Sequence, residues 1–323
     1  MKWDIMINDK QGFSYPYDKI WKEFIFRLSD HPEIESRPIT VIEEYITFFK
    51  NEVGLGIYKQ LFKLLSARGF LLELDNNKLI VSDNSHKLDS EYLCQILDRF
   101  LVGYLNNSQI IVKKKPPNIF YLELFTHDDQ SRYKTFDPFR YIGYTFWSAF
   151  KRRKHGPKIP VNRLDSFIAC LVKAISSINV STFSSCDGHG HHRPYIIFYS
   201  RYEALWFLAI FREIVAPNIR LNYDWSFYKK LYDTYSVAYL VSITSKEGYN
   251  DILLFYEINM VADFLYKNRI YLRRLKKAMR SQGYGQDIKK GKDTDLYITP
   301  KYLEKNTLSK HLLSRGIDQN MIL

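Results

Sequence analysis

Cysteine is scarce in this sequence of 323 residues, and its three copies form no pattern. Cys94, Cys170 and Cys186 are odd in number and widely spaced, so a disulfide framework is not expected and a reducing compartment is favoured. Cys94 and Cys170 lie in apolar segments with helical spacing, where a free cysteine behaves as a small hydrophobe. Cys186 differs, because it lies among histidines, glycines and an aspartate.

Long apolar runs are lacking as well. No stretch approaches the roughly 20 apolar residues that a membrane-spanning helix needs. The first residues, MKWDIMINDKQ, also lack the apolar segment and the small-residue cleavage site of a signal peptide. We therefore expect a cytoplasmic protein with no membrane partner.

Glycine and proline are few, at 14 and 11 residues, whereas hydrophobic residues make up 46% of the chain. This composition is typical of a globular protein and excludes disorder for most of the chain. Because the chain is longer than most single domains, we predict a division near residue 155. The predicted parts are a helical or α+β N-terminal domain (1–155), an α/β domain (156–282) and a basic C-terminal extension (283–323).

The spacing of apolar residues predicts an α/β or α+β fold class. It indicates a mixed or antiparallel sheet covered by helices, with a smaller, mainly helical N-terminal part that contains a β-hairpin around Asp75, Asn76 and Asn77. No fixed-period repeat is apparent. Helix, helix and hairpin in this order also fit a winged helix-turn-helix, although the helix before the hairpin has few basic residues, which favours a packing module. The predicted helices are 18–30, 40–54, 57–69, 88–105, 164–178, 201–215 and 250–280, and the predicted strands are two within 70–83, then 119–125, 180–186, 195–199, 219–225 and 235–243.

Positive charge is in excess. The chain has 47 Lys and Arg against 35 Asp and Glu, a net charge of +12, and after Tyr266 the balance is fourteen against five. Such an excess favours a polyanionic partner, nucleic acid or a nucleotide, through attraction to phosphates and release of counterions. The alternative is a solvated helix face. The residues predicted to contact nucleic acid are Arg193, Arg273, Arg274, Lys276 and Lys277.

The segment SSCDGHGHHR, residues 184–193, holds the strongest candidate site. Cys186, His189, His191 and His192 are residue types that bind zinc, and the first two have Cys-x-x-His spacing. A structural zinc site normally needs a second ligand pair, and no such motif is visible elsewhere. A divalent metal held by the histidines therefore remains one of several interpretations.

The same segment fits two other kinds of chemistry. A thiolate at Cys186 with His189 as its base would serve nucleophilic catalysis. Alternatively, Gly188 and Gly190 allow backbone N–H groups to line an anion-binding turn next to Ser184 and Ser185. A polar hairpin tip without function is the remaining interpretation.

Residues 164–189, LDSFIACLVKAISSINVSTFSSCDGH, resemble a segment of the wybutosine-synthesis methyltransferases of tRNA maturation. The likeness covers Leu164 and Asp165 at a helix start, Ile178 and Asn179 at its end, and, in the strand and turn that follow, Thr182, Ser184, Ser185, Cys186 and Gly188. The family's serine is Asp187 here, and its arginine is His189. The resemblance implies an α/β fold, S-adenosylmethionine as methyl donor and a tRNA nucleoside as acceptor.

Our leading interpretation is a protein that acts on nucleic acid or a nucleotide, with RNA modification as the reaction. Under this interpretation Ser184, Ser185, Gly188 and Gly190 bind the cofactor, and Cys186, Asp187 and His189 are catalytic, with Asp187 and His189 handling protons. The alternatives are a non-catalytic module that binds metal or nucleic acid, and a hydrolase that uses Cys186 and a histidine.

Overall fold

The computed structural model describes residues 39–53, 56–83, 85–126, 160–188, 193–198, 201–231, 237–244 and 251–281. The predicted helix at 18–30, the predicted division near 155 and the predicted extension 283–323 lie outside these residues. None of the helices in the described ranges is long and apolar enough to cross a membrane.

Helices and pairs of strands alternate along the described chain. The helices are α1 (Ile39–Val53), α2 (Ile57–Arg68), α3 (Lys87–Arg99), α4 (Asn118–Thr126), α5 (Ala169–Ser177), α6 (Arg201–Ile210), α7 (Asp251–Lys267) and α8 (Arg269–Ser281). The strands are β1 (Leu72–Asp75), β2 (Lys78–Val81), β3 (Gly103–Asn106), β4 (Gln109–Val112), β5 (Thr182–Cys186), β6 (Tyr195–Phe198), β7 (Asp224–Leu231) and β8 (Val237–Thr244). A 3₁₀ turn, Val161–Arg163, precedes α5, and α6 continues through a π-helical segment, Phe211–Val215, to a last turn, Ala216–Asn218.

The strands form two antiparallel sheets of four strands each. Their orders are β1-β2-β4-β3 and β5-β6-β8-β7, and every pairing within them is antiparallel. Helices pack against both sheets, and two N-terminal helices precede the first hairpin. The predicted class, α and β elements with helix-covered sheets, is confirmed.

The two sheets belong to two units with the same chain path. Each unit runs helix, strand pair, helix, strand pair, helix: α2 to α4 in the first and α5 to α7 in the second, with corresponding strand orders. The first helix of each unit also ends in the same way. Gly69 and Asn179 take the left-handed conformation, with φ of 107° and 61°, and the next amide bonds back into the helix. The structure therefore contains a repeated unit.

A shorter repeat lies within the first unit. The turns of its two hairpins, Asn76-Asn77 and Asn107-Ser108, both have positive φ at both positions, as a type I′ turn requires, and they are 31 residues apart (107 − 76). The spacing is not constant along the chain, because β5 and β7 begin 42 residues apart (224 − 182), so these turns do not contradict the expectation of no fixed-period repeat. The two hairpin sequences, LDNNKLIV (74–81) and LNNSQIIV (105–112), have polar turn residues and apolar residues at the same positions, but identical residues do not continue beyond this short span.

Both units contribute to one continuous core. All nine residues of α5 are buried, and α5 packs against α7 and α2. Aromatic rings join the units: the Phe125 ring of α4 stacks on Phe167, just before α5, with centroids 5.5 Å apart, and Phe167 stacks in turn on Phe255 of α7 at 4.4 Å. Helix α5 is therefore the central element of the molecule.

A buried ion pair also joins the units. Lys173 in α5 contacts the Asp89 carboxylate in α3 at 2.6 Å, and the two side chains are 3% and 1% exposed. Asp89 accepts a further hydrogen bond, at 2.7 Å, from the backbone N–H of Val161. Arg68, also buried, donates to the carbonyl oxygens of Leu124 and Val161. Each of these buried charges thus has a partner, as burial requires.

Two predicted elements differ in type or extent from those observed. Residues 119–125, IFYLELF, form part of helix α4 and not a strand. The run is apolar on all sides, so its periodicity does not separate a helix from a strand, and Pro117 fits a helix start. The predicted helix 88–105 ends at Arg99, because Leu101 takes a φ of 54°, and strand β3 follows at Gly103.

Two other predicted boundaries also shift. The strand predicted at 219–225 begins at Asp224, because the amides of Asn222 and Tyr223 bond to the Glu257 carboxylate instead of to a neighbouring strand. The helix predicted over 250–280 is two helices, with a turn at Asn268 between them.

We predict that Lys173→Met lowers the free energy of unfolding by about 3–5 kcal/mol, because it leaves the Asp89 carboxylate buried without its cation. Urea unfolding followed by circular dichroism measures the change. The matched control is Lys267→Met, which removes an exposed pair with Asp263 and costs at most about 0.5 kcal/mol. Equal effects of the two variants would contradict the role assigned to the buried pair.

We predict that Gly69→Ala destabilises the protein by at least about 2 kcal/mol, because Gly69 has a left-handed φ and its added Cβ would lie 2.9 Å from the Ala169 Cβ. Gly56→Ala is the control, since Gly56 has a φ of −73° and its added Cβ would meet nothing closer than 3.8 Å. Thermal unfolding compares them, and a harmless Gly69→Ala would show that the packing between α2 and α5 is loose.

Candidate functional site

The candidate segment begins on strand β5 and returns on strand β6. Ser184 pairs with Ile197, Ser185 with Ile196 and Cys186 with Tyr195, with a register shift between Thr182 and Ser184. The strands predicted at 180–186 and 195–199 are confirmed as β5 and β6. Because β5 follows α5 with only a short turn between them, the buried helix fixes where this hairpin lies.

Two carboxylates surround the Cys186 thiol at the end of β5. The Asp187 amide donates to the Asp165 carboxylate at 3.2 Å, and the Asp187 carboxylate accepts from the Phe167 amide at 3.4 Å. The Cys186 thiol also hydrogen-bonds to Asp165. These bonds tie the end of β5 to the segment before α5, and Asp187 itself is 4% exposed.

This environment keeps the Cys186 thiol protonated. Burial raises the pKa of the Cys186 thiol well above its ordinary value, and the negative charge of Asp165 raises that pKa further. A nucleophilic thiolate needs the opposite surroundings, namely cations or a helix N-terminus. The described part of the site therefore disfavours the hydrolase interpretation.

The backbone at Gly188 has the conformation expected of a glycine turn. Its φ is 87°, and its N–H points to the Cys186 Sγ at a distance of 3.4 Å. That N–H is thus engaged within the turn. The remaining predicted ligands and catalytic groups, His189, Gly190, His191 and His192, lie outside the described residues.

Metal binding is not visible in the described ranges. No group of three or more His, Cys, Asp or Glu side chains in them has an arrangement that could hold a metal ion. The zinc interpretation depends on the three histidines between 189 and 192, so it stays a prediction.

Helix α8 carries four of the five basic residues predicted to contact nucleic acid, and two of these four face the protein while two face solvent. Arg273 donates from Nε to the carbonyl oxygen of Ser177, and Lys276 donates from Nζ to the carbonyl oxygen of Asn179 and to Glu203. Both cations therefore cap the C-terminal end of α5, where the helix dipole favours positive charge. Burial lowers the pKa of the Arg273 guanidinium, which agrees with this inward position. A phosphate-binding role for Arg273 and Lys276 does not fit these contacts.

The other three residues predicted to contact nucleic acid face solvent. Arg193 is exposed at the start of the return segment into β6, and Arg274 and Lys277 are exposed on the outer face of α8. The sequence prediction treats Arg273, Arg274, Lys276 and Lys277 alike. The sequence does contain a signal that distinguishes the inner cations from the outer ones. The apolar Leu272 and Leu275 mark the inner face of α8, and each directly precedes an inner cation, Arg273 or Lys276.

The sequence prediction also misses two charges. Lys173 and Arg68 are buried between the units, and both lie within apolar helical patterns. The sequence signal for Lys173 is its position within the apolar run CLVKAIS, because a lysine in a buried helix needs a carboxylate partner.

In comparisons with models of known protein families, with curated proteins and with solved structures, the chain matches none. The resemblance of residues 164–189 to the wybutosine-synthesis methyltransferases therefore stays a prediction, and so does S-adenosylmethionine as cofactor.

We predict that the Cys186 thiol of the folded protein is alkylated by iodoacetamide more slowly than the half-buried Cys94 at neutral pH, because the Cys186 thiol is buried beside Asp165 and Asp187. Mass spectrometry of timed samples measures both rates. Denaturation should remove the difference, which serves as the control. Fast modification of Cys186 in the folded protein would restore the nucleophile interpretation.

Proposed function

We propose that the protein binds nucleic acid through the exposed face of α8, in contact with the phosphate backbone. The binding residues are Ile270, Arg274 and Lys277, here called the α8 stripe. They are spaced by four and three residues, so they share one face of the helix. The division of α8 into an inner and an outer set of cations is the observation that carries the proposal.

The inner cations of α8 hold the helix in a fixed position. Arg269 pairs with Glu73 of strand β1 and lies over the Tyr266 ring, while Arg273 and Lys276 bind the end of α5. Because the backbone of this helix is already held, binding of a phosphate orders only the side chains of the outer cations. The stripe is thus preorganised for an anion.

The outer cations have unused binding capacity. Neither Arg274 nor Lys277 forms an ion pair with a carboxylate among the described residues, whereas the neighbouring Lys267 pairs with Asp263 at 2.7 Å. The Arg274 guanidinium and the Lys277 ammonium lie about one helical turn apart. This spacing matches successive phosphates of a flexible backbone better than a single small anion. The side chain of Ile270, 55% exposed, adds an apolar surface for a base.

The net charge of +12 supports the same partner. Binding of this kind depends on counterion release, so it is sensitive to salt and does not read the sequence of bases. Single-stranded nucleic acid is the preferred form, since one helix face with a single apolar side chain offers charge and an apolar contact to an exposed base rather than insertion into a groove.

We predict that Arg274→Gln with Lys277→Gln weakens binding to a labelled single-stranded oligonucleotide and reduces the dependence of affinity on salt. The slope of log affinity against log salt should fall by about 0.7 for each phosphate that the variant no longer neutralises. Fluorescence anisotropy at several salt concentrations measures both quantities.

The control for this experiment removes two charges elsewhere. Arg212→Gln with Arg220→Gln changes two exposed arginines that lie outside α8. The proposal requires this control to keep most of the affinity. An equal decrease in both double variants would show diffuse attraction to the whole protein, and unchanged binding of the α8 variant would eliminate the stripe.

A further inference from the structure

A groove of about 690 Å³ lies between the end of α1, the start of α2 and the turn before α4. Its lining includes Lys50, Asn51, Gln60, Lys115 and Asn118, together with two prolines, Pro116 and Pro117. The volume is within the range of sites that bind small molecules. None of these residues belongs to the α8 stripe or to the segment 184–193.

The lining of the groove is rich in hydrogen-bond donors and holds no carboxylate among the described residues. Two ammonium groups and three side-chain amides border it. Helix α4 begins at Asn118, so the positive end of its dipole is at the same place. The apolar surface comes from the two proline rings. Donors of this kind fit an anion with several oxygen acceptors.

Lys50 is held in place at this groove. Its Nζ donates to the Asn118 Oδ1 at 2.5 Å and lies 4.4 Å from the centre of the Tyr121 ring. Partial burial lowers the pKa of the Lys50 ammonium, and the positive charge of Lys115 lowers that pKa further. The two cations therefore repel each other across the groove, and an anion bound between them would relieve that repulsion.

We propose that this groove binds the phosphate group of a phosphorylated ligand between Lys50 and Lys115. The volume exceeds that of one phosphate, so the ligand carries an organic part that rests on the two prolines. A free nucleotide and a nucleotide unit of a polymer share this chemistry. The site stands on its own geometry and does not depend on the α8 stripe.

Isothermal titration calorimetry of the full chain tests the site, with inorganic phosphate and adenosine monophosphate as probes. Lys115→Gln should weaken binding of both probes by about tenfold, because it removes one of the two charge-assisted bonds. Lys114→Gln is the matched control: it removes the same charge from the neighbouring exposed residue, which does not line the groove, and should change the affinity less than about twofold.

Lys50→Gln is the second variant and should weaken phosphate binding as strongly. Because Lys50 packs against Tyr121, the melting temperature of this variant is measured as well, and the exposed Lys115 keeps the test valid if Lys50→Gln unfolds. The proposal is overturned if inorganic phosphate does not bind at millimolar concentration, or if Lys114→Gln weakens binding as much as Lys115→Gln.

Two further measurements identify the source of the phosphate. Tighter binding of adenosine monophosphate than of inorganic phosphate supports a free nucleotide, whereas displacement of bound phosphate by a single-stranded oligonucleotide supports the polymer. The double variant Arg274→Gln and Lys277→Gln should keep its phosphate affinity. Failure of the α8 stripe and failure of the groove are therefore separate results.

Discussion

The ion pair between Lys173 and Asp89 is the constraint on which the arrangement of the two units depends. Neither side chain reaches solvent, so each charge is tolerable only beside the other. Asp89 also accepts hydrogen bonds from the amides of His86 and Val161, which join the start of α3 to the segment before α5. Any other position of α5 against the first unit would bury one charge alone. The pair therefore favours the observed position of α5 against the first unit.

The candidate site follows from this placement. Helix α5 is buried along its whole length, and β5 leaves it after a short turn at Asn179, so Cys186 and Asp187 are carried to a fixed position. Asp165 then closes the other side, because it precedes α5 in the chain. The same buried helix thus positions both ends of the cluster.

Local chemistry is predictable from sequence where a single residue type decides it. The end of the predicted helix 57–69 is confirmed by the left-handed φ of Gly69, and the hairpin at Asn76 and Asn77 is confirmed by two positive φ values. Helix α4 is not predictable from apolar spacing, because a run that is apolar on all sides has no period. The repeated unit is not apparent in the sequence, because the two copies share turn conformation and burial but few identical residues.

The site is predictable in location and less so in role. The hairpin strands around Ser185 are present, but the state of the Cys186 thiol depends on Asp165, which is distant in sequence and close in space. Likewise, the four α8 residues predicted to contact nucleic acid look equivalent in the sequence, whereas the buried Leu272 and Leu275 show which side of the helix faces the protein. Long-range contacts decide these roles, and a single sequence does not show such contacts.

Helix α8 touches both units, through Glu73 in the first and through Ser177 and Glu203 in the second. A ligand on its outer face therefore favours the form in which all these inner contacts exist. By mass action, a polyanion that binds the docked helix stabilises the joined units as well, although it contacts neither sheet. Binding of a polyanion to the outer face of α8 and formation of the inner contacts of α8 would therefore be thermodynamically linked.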